Sequence, residues 1–268
     1  MKILIGLLSL LMLGSRLQAQ TADTTGFFQF QKQELIRGTN ALRYRILYPE
    51  NYNRKKSYPL LVFLHGSGER GSDNEKQLWN GGALFLKDSV RKQFSAIVIF
   101  PQCPADSTWS PFNRAAPRDD SFYLSLNQSP ELTTPERLVK ALMDSLSFQN
   151  IADKKRLYIS GLSLGGFGTY DLLVHYPDYF AAAFSICGMT NVPVYAAKAA
   201  TVPLWIFHGS LDDVVNPQPN RELYKVLQNT KGTQVKFTEY PTANHNSWDS
   251  AFAEPGLLPW LFAQKRNN

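Results

Sequence analysis

Arg156-Leu157-Tyr158-Ile159-Ser160-Gly161-Leu162-Ser163-Leu164-Gly165-Gly166, running on into the helix-like segment Phe167 to Tyr176, decides how this chain folds. An apolar, β-like run enters Gly-x-Ser-x-Gly and a helix leaves it. That order is the sequence form of a nucleophile elbow, a sharp strand-to-helix turn that lifts the serine hydroxyl clear of a sheet. The glycines two residues before and after Ser163 keep side chains out of a corner where strand and helix nearly touch. Ser163 is therefore the candidate covalent nucleophile.

A strand-tip nucleophile needs a base, and the base needs an acid to orient it. On such a sheet both come from loops after later strands, acid first and histidine last. Val202 to Phe207 reads as a buried strand and runs into His208-Gly209-Ser210-Leu211-Asp212-Asp213. Gln234 to Tyr240 alternates as a strand does and ends at Pro241, before Thr242-Ala243-Asn244-His245. Of the four histidines, His175 lies within the helix after the elbow, and His65 and His208 each precede a glycine at a strand end, where a structural ring is expected. His245 remains as the candidate general base. Asp212 and Asp213 are adjacent, and neighbouring side chains at a strand end point to opposite sides. Asp212, four residues after His208, is favoured; Asp213 is then a solvated neighbour or a helix cap.

Acyl transfer also needs donors for the oxygen that becomes negative. The Leu164 N–H, at the start of the helix after the elbow, is one candidate, helped by the positive end of the helix dipole. The apolar run Tyr58 to Leu64 reads as a central parallel strand and ends in His65-Gly66-Ser67-Gly68-Glu69-Arg70-Gly71. Its glycines let backbone N–H groups turn toward an anion. The Ser67 N–H is the second candidate donor, with Gly68 as the alternative.

From residue 60 onward strand-like and helix-like runs alternate, the pattern of an α/β fold: a mostly parallel central sheet with helices on both faces. Helices are expected at about 134–148, where Thr134-Pro135-Glu136 supplies a cap and a first-turn proline, and at 164–176, 218–229 and 250–264. Alternating pieces between Phe27 and Tyr48 suggest antiparallel strands at the sheet edge. The longest irregular stretch, about 102–132, carries Trp109. Long loops are often functional, so Trp109 either lines a substrate pocket or pins the loop to the body.

Lys2, the apolar run Ile3 to Gly14 and Leu17-Gln18-Ala19 have the form of a secretory leader cut after Ala19. The apolar run is too short for a spanning helix, so residues 20–268 are expected as one exported domain, secreted or periplasmic in a bacterium, with no membrane insertion after cleavage. Net charge is +6, of which Lys2 and Arg16 supply two. No basic run is interleaved with aromatics, which argues against nucleic acid. Cys103 and Cys187 leave a disulfide or two buried thiols open. No Cys-x-x-C or His/Cys/Asp spacing suggests a metal, and no cofactor is expected.

Together, Leu64-His65-Gly66-Ser67-Gly68-Glu69-Arg70-Gly71, Phe100-Pro101-Gln102-Cys103-Pro104 with Trp109, the elbow, His208-Gly209 with Asp212, and His245-Asn246-Ser247-Trp248 resemble the secreted esterase and predicted-peptidase branch of the α/β-hydrolases. That branch is close to phospholipase/carboxylesterases and to feruloyl- or acetyl-xylan-type carbohydrate esterases. The resemblance spans roughly residues 40–264. It implies Ser163, Asp212 and His245 as a triad, the loop at Ser67 as the oxyanion loop, and a small or glycan-linked ester as substrate. Trp109 and Trp248 are the candidate substrate-binding aromatics, with Trp79 as a further candidate flank. A peptidase with the same machinery and a non-catalytic glycan-binding protein are the alternatives. Oligomeric state is not legible.

Overall fold

The computed structural model describes residues 24–111 and 125–266. The leader expected at 1–19 and part of the irregular stretch expected at 102–132 lie outside the described residues. Eight strands form one sheet in the order β1-β2-β4-β3-β5-β6-β7-β8. β1 (Gln31–Arg37) and β2 (Asn40–Leu47) form a hairpin antiparallel to its neighbour, the edge expected between Phe27 and Tyr48. β3 (Tyr58–Leu64), β4 (Ile97–Gln102), β5 (Ala152–Leu162), β6 (Ala182–Ile186), β7 (Leu204–Gly209) and β8 (Val235–Tyr240) are all parallel.

The apolar runs are continuous because both faces of the sheet are covered. β3, β4, β6 and β7 are buried at every position. Successive side chains still alternate between two cores. Leu60, Val62 and Leu64 of β3 face one core with Ile97, Ile99 and Ile159, whereas Leu61 and Phe63 face the other with Val98, Phe100 and Tyr158. The first core is covered by α3 (Thr134–Phe148), α4 (Leu164–His175), α5 (Val192–Lys198) and α6 (Gln218–Gln228). The second is covered by α1 (Gly82–Leu86), α2 (Asp88–Gln93), α7 (Trp248–Ala253) and α8 (Leu257–Ala263).

Three details depart from the sequence reading. α3 is capped by Thr133, one residue before the expected threonine, in a reciprocal box with Glu136. The single helix expected over 250–264 is two helices, α7 and α8, separated at Glu254-Pro255-Gly256, where proline lacks the N–H and the clearance that a continuing helix needs. The short helices α1, α2 and α5 have too few turns to show a helical period. Cys103 and Cys187 are separate, buried thiols. Among the described residues, no helix is long and apolar enough to cross a membrane.

The crossing of α4 over β5 and β3 is where the backbone packs tightest around Ser163. A Cβ on Gly161 would meet the Gly165 carbonyl and lie 2.7 Å from the Leu64 carbonyl oxygen. A Cβ on Gly165 would fall onto that same Leu64 oxygen. Both obstacles are backbone, which cannot swing aside as a side chain can. Gly165→Ala is therefore expected to destabilise the protein by about 1–3 kcal/mol or more, seen as a fall in Tm by thermal unfolding. An unchanged Tm would contradict this packing.

Candidate active site

Ser163 joins β5 to α4 with φ 50° and ψ −117°, backbone angles that a side-chain-bearing residue rarely adopts and that persist only where packing enforces them. Its N–H donates to the Ile186 carbonyl at 2.8 Å, which ties the elbow to the end of β6. The residue is half-buried, so its hydroxyl sits at the protein surface rather than within the core.

Asp212 and His245 arrive from the loops after β7 and β8. The Ser163 Oγ lies 2.9 Å from His245 Nε2, and His245 Nδ1 lies 2.8 Å from Asp212 Oδ2. Nδ1–H donates to the carboxylate, which leaves Nε2 free to accept the serine proton. The two loops are stitched together. Asn244 Oδ1 accepts from the N–H groups of Asp213 and His245, and the Leu211 N–H donates to Ala243. Asp212 is buried and Asp213 exposed, so the structure brings the first acid, not the second, to the imidazole.

Burial would raise the Asp212 pKa. Hydrogen bonds from His208, His245 and the Val215 N–H outweigh it and hold the carboxyl well below the usual carboxylate range. Burial also pushes up the thiol of Cys187, reinforced by the Asp212 charge, so this neighbour stays protonated. Cys187, Asp212 and His245 place possible metal-ligand atoms within 4.8 Å of one another. The Asp212 oxygens and both His245 nitrogens are already engaged in hydrogen bonds within the protein.

The glycine loop after β3 lies against the elbow: a Cβ on Gly66 would come 3.7 Å from Ser163 Cβ. Ser67 and Gly68 are exposed and begin a short 3-10 turn, Ser67–Glu69. Leu164 is the first residue of α4, so its N–H belongs to the donors that have no acceptor within the helix. Buried partners hold the glycine loop. The Cys103 N–H donates to His65 Nε2 at 3.0 Å, so the ring proton sits on Nδ1, 2.6 Å from the Gly66 carbonyl. Burial, opposed by that Gly66 bond, lowers the His65 pKa to about 4 and keeps the ring neutral. Arg70 ties the Ser67 carbonyl to those of Ala105 and Ser107, and Asn80 donates to the Glu69 carboxyl.

The expected placement of Trp109 in a substrate pocket is corrected. Its side chain is fully buried, its indole N–H donates to the His65 carbonyl at 3.1 Å, and its ring meets His65 edge-on at 5.2 Å. No face remains for a ligand, so Trp109 pins the loop. Trp248 stands edge-on to His245 with ring centroids 5.7 Å apart and is half-buried. Trp79 lines a groove of about 560 Å³ with Phe27, Phe28 and Phe30. The bridging roles of Asn244, Asn80 and Arg70 are not legible in the sequence: Arg70 and Asn244 stand within quoted loop segments, but nothing in those segments says which chain they reach across to.

The chain resembles several known proteins. The family model described as Phospholipase/Carboxylesterase matches residues 51–254. A 167-residue stretch is 34% identical to the bifunctional acetylxylan esterase/xylanase XynS20E of Neocallimastix patriciarum, covering 62% of this chain and 21% of that protein. A 131-residue stretch is 28% identical to poly(3-hydroxyalkanoate) depolymerase C of Paucimonas lemoignei, covering 48% and 28%. The chain thus spans less than a third of either relative's length. A solved thermostable esterase superposes with a TM-score of 0.77 at 30% identity, over 90% of this chain and 64% of that one. A ferulic acid esterase (TM-score 0.64, 16% identity, 87% of this chain and 97% of that one) shares the fold. With a sheet, an elbow and a family match that runs through most of its length, the chain belongs to the phospholipase/carboxylesterase family of α/β-hydrolases.

Proposed function

We propose that the protein is a serine hydrolase of carboxylic esters, exported after loss of residues 1–19, with Ser163 as nucleophile, His245 as general base and Asp212 as its orienting acid. The observation that carries this reading is the unbroken line of hydrogen bonds from Ser163 Oγ through His245 to Asp212, at 2.9 and 2.8 Å. His245 Nε2 takes the hydroxyl proton as Oγ attacks the ester carbonyl. The Asp212 carboxylate stabilises the imidazolium that forms. The N–H groups of Leu164 and Ser67 bind the tetrahedral oxyanion. His245 then returns the proton to the leaving alcohol, and water repeats the sequence on the acyl-enzyme.

An ester of a glycan is the favoured substrate. The acetylxylan esterase/xylanase relative supports this choice, and Trp248 beside His245 offers a ring against which a sugar or aromatic acyl group can pack. The peptidase alternative draws on fold likeness alone: an acylaminoacyl peptidase superposes at 16% identity, with 42% of that chain covered.

Ser163→Ala is expected to lower kcat on a short p-nitrophenyl ester by on the order of a million-fold while Tm is retained; turnover in that variant would refute the nucleophile. The wild type is expected to cleave acetylated or feruloylated oligosaccharides in preference to peptides, and the opposite preference on paired panels would favour the peptidase. Asp212→Asn is expected to cost about ten-thousand-fold in kcat. The pH dependence follows from the lowered Asp212 pKa. That carboxylate stays ionised through the working range, so its own protonation adds nothing to the loss of activity at falling pH. A plot of log kcat/KM against pH should have an acid limb of slope one. A slope of two would show a second essential group titrating with it.

A further inference from the structure

Asp212 Oδ2 receives a second histidine. His208 Nε2 lies 3.1 Å from it, on the same oxygen that His245 approaches at 2.8 Å. Both His208 and the Asp212 side chain are fully buried. The position of the His208 proton follows from its surroundings. A carbonyl can only accept, so the Asn220 nitrogen, 2.7 Å from the Gly188 carbonyl, is identified as Nδ2. The other end of that amide, Oδ1, accepts from the Tyr170 hydroxyl at 3.0 Å. The same Nδ2 lies 2.8 Å from His208 Nδ1, so Nδ1 is the acceptor and the ring proton is on Nε2. That proton is hydrogen-bonded to the Val215 carbonyl at 3.0 Å and is shared with Asp212 Oδ2, 3.1 Å from the same nitrogen. The other carboxylate oxygen, Oδ1, accepts from the N–H groups of Val214 and Val215.

Accepting the triad proposed above, we propose that His208, its tautomer set by Asn220, is a positioning residue for catalysis: it fixes the rotation of the Asp212 carboxylate and shares its negative charge with His245. His65 also has a defined proton but spends it on a backbone carbonyl, whereas the His208 Nε2 lies 3.1 Å from the acid of the triad. Here a relay of four side chains, Tyr170–Asn220–His208–Asp212, determines where that proton points. Among the bonds that oppose burial in holding Asp212 ionised, the one from His208 is the largest. The other titratable groups around the pair are Cys187 and Tyr170, both kept protonated by burial, and Glu239, which is ion-paired with Arg221.

His208→Leu removes the donor, and His208→Gln keeps an amide nitrogen near the place of Nε2. With p-nitrophenyl acetate as substrate, His208→Leu is expected to lose about 10–100-fold in kcat, the size seen when partners behind metal-binding histidines are removed, with KM little changed. Its acid limb should move to higher pH, because a carboxylate relieved of one donor holds the His245 proton more tightly. His208→Gln should recover most of both effects. If both variants lose Tm but keep the wild-type kcat, KM and acid limb, His208 only packs and the proposal fails. Should His208→Leu not fold, the wild type still decides: nitrogen-15 NMR of histidine-labelled protein must show His208 protonated on Nε2 at neutral pH. The Nδ1–H tautomer would overturn the proposal. Labelling of wild-type Ser163 by a fluorophosphonate, run alongside, separates a failure of this relay from a failure of the triad itself.

Discussion

The Asp212 carboxylate is buried, and a buried anion is tolerated only where donors replace the water it has left. Val214 and Val215 donate their N–H groups to one oxygen and His245 donates to the other, with His208 Nε2 3.1 Å from that second oxygen. Each donor belongs to a different constraint. The two valines curl the loop after β7 back on itself, His208 lies within the last residues of β7, and His245 brings in the loop after β8. Satisfying one charge therefore gathers three pieces of chain at one point. The same bonds orient His245 toward Ser163 before any substrate arrives, and such preorganisation is what makes electrostatic catalysis effective.

The serine end of the site depends on backbone rather than charge. Gly165 lets α4 press against the Leu64 carbonyl, and this closeness holds Ser163 at a positive φ. The loop facing it is held from behind. His65, Trp109 and Arg70 link it to the segment after β4, and all three act through backbone carbonyls or N–H groups. A loop held by such bonds keeps its exposed tip, Ser67-Gly68, in place while leaving it open to a ligand.

Much of this was legible in the sequence because burial on both sides leaves uninterrupted apolar runs, as in Tyr58–Leu64 and Leu204–Phe207. The grouping of Ser163, Asp212 and His245 was legible because strand ends in a parallel sheet share one edge, so order along the chain becomes proximity in space. Alternation of neighbouring side chains allows only one of Asp212 and Asp213 to face the imidazole, and the place of Asp212 four residues after His208 favours it. The break at Pro255 was also on the page, yet the apolar residues either side read as one helix. What sequence could not carry was partnership across the fold. Trp109 looks like a ligand-facing aromatic until His65, 44 residues away, takes its N–H. Asn220 looks like an ordinary helix residue until it meets Gly188, Tyr170 and His208 together. Such contacts have no period and no spacing.

Chemical activation of the Ser163 oxygen by its neighbours is the property on which all of the proposed chemistry depends. Reaction with a fluorophosphonate, followed by peptide mapping in a mass spectrometer, tests that directly. A single adduct on Ser163, abolished in His245→Ala, is the result expected. An unlabelled protein, or an adduct on another residue, would contradict it.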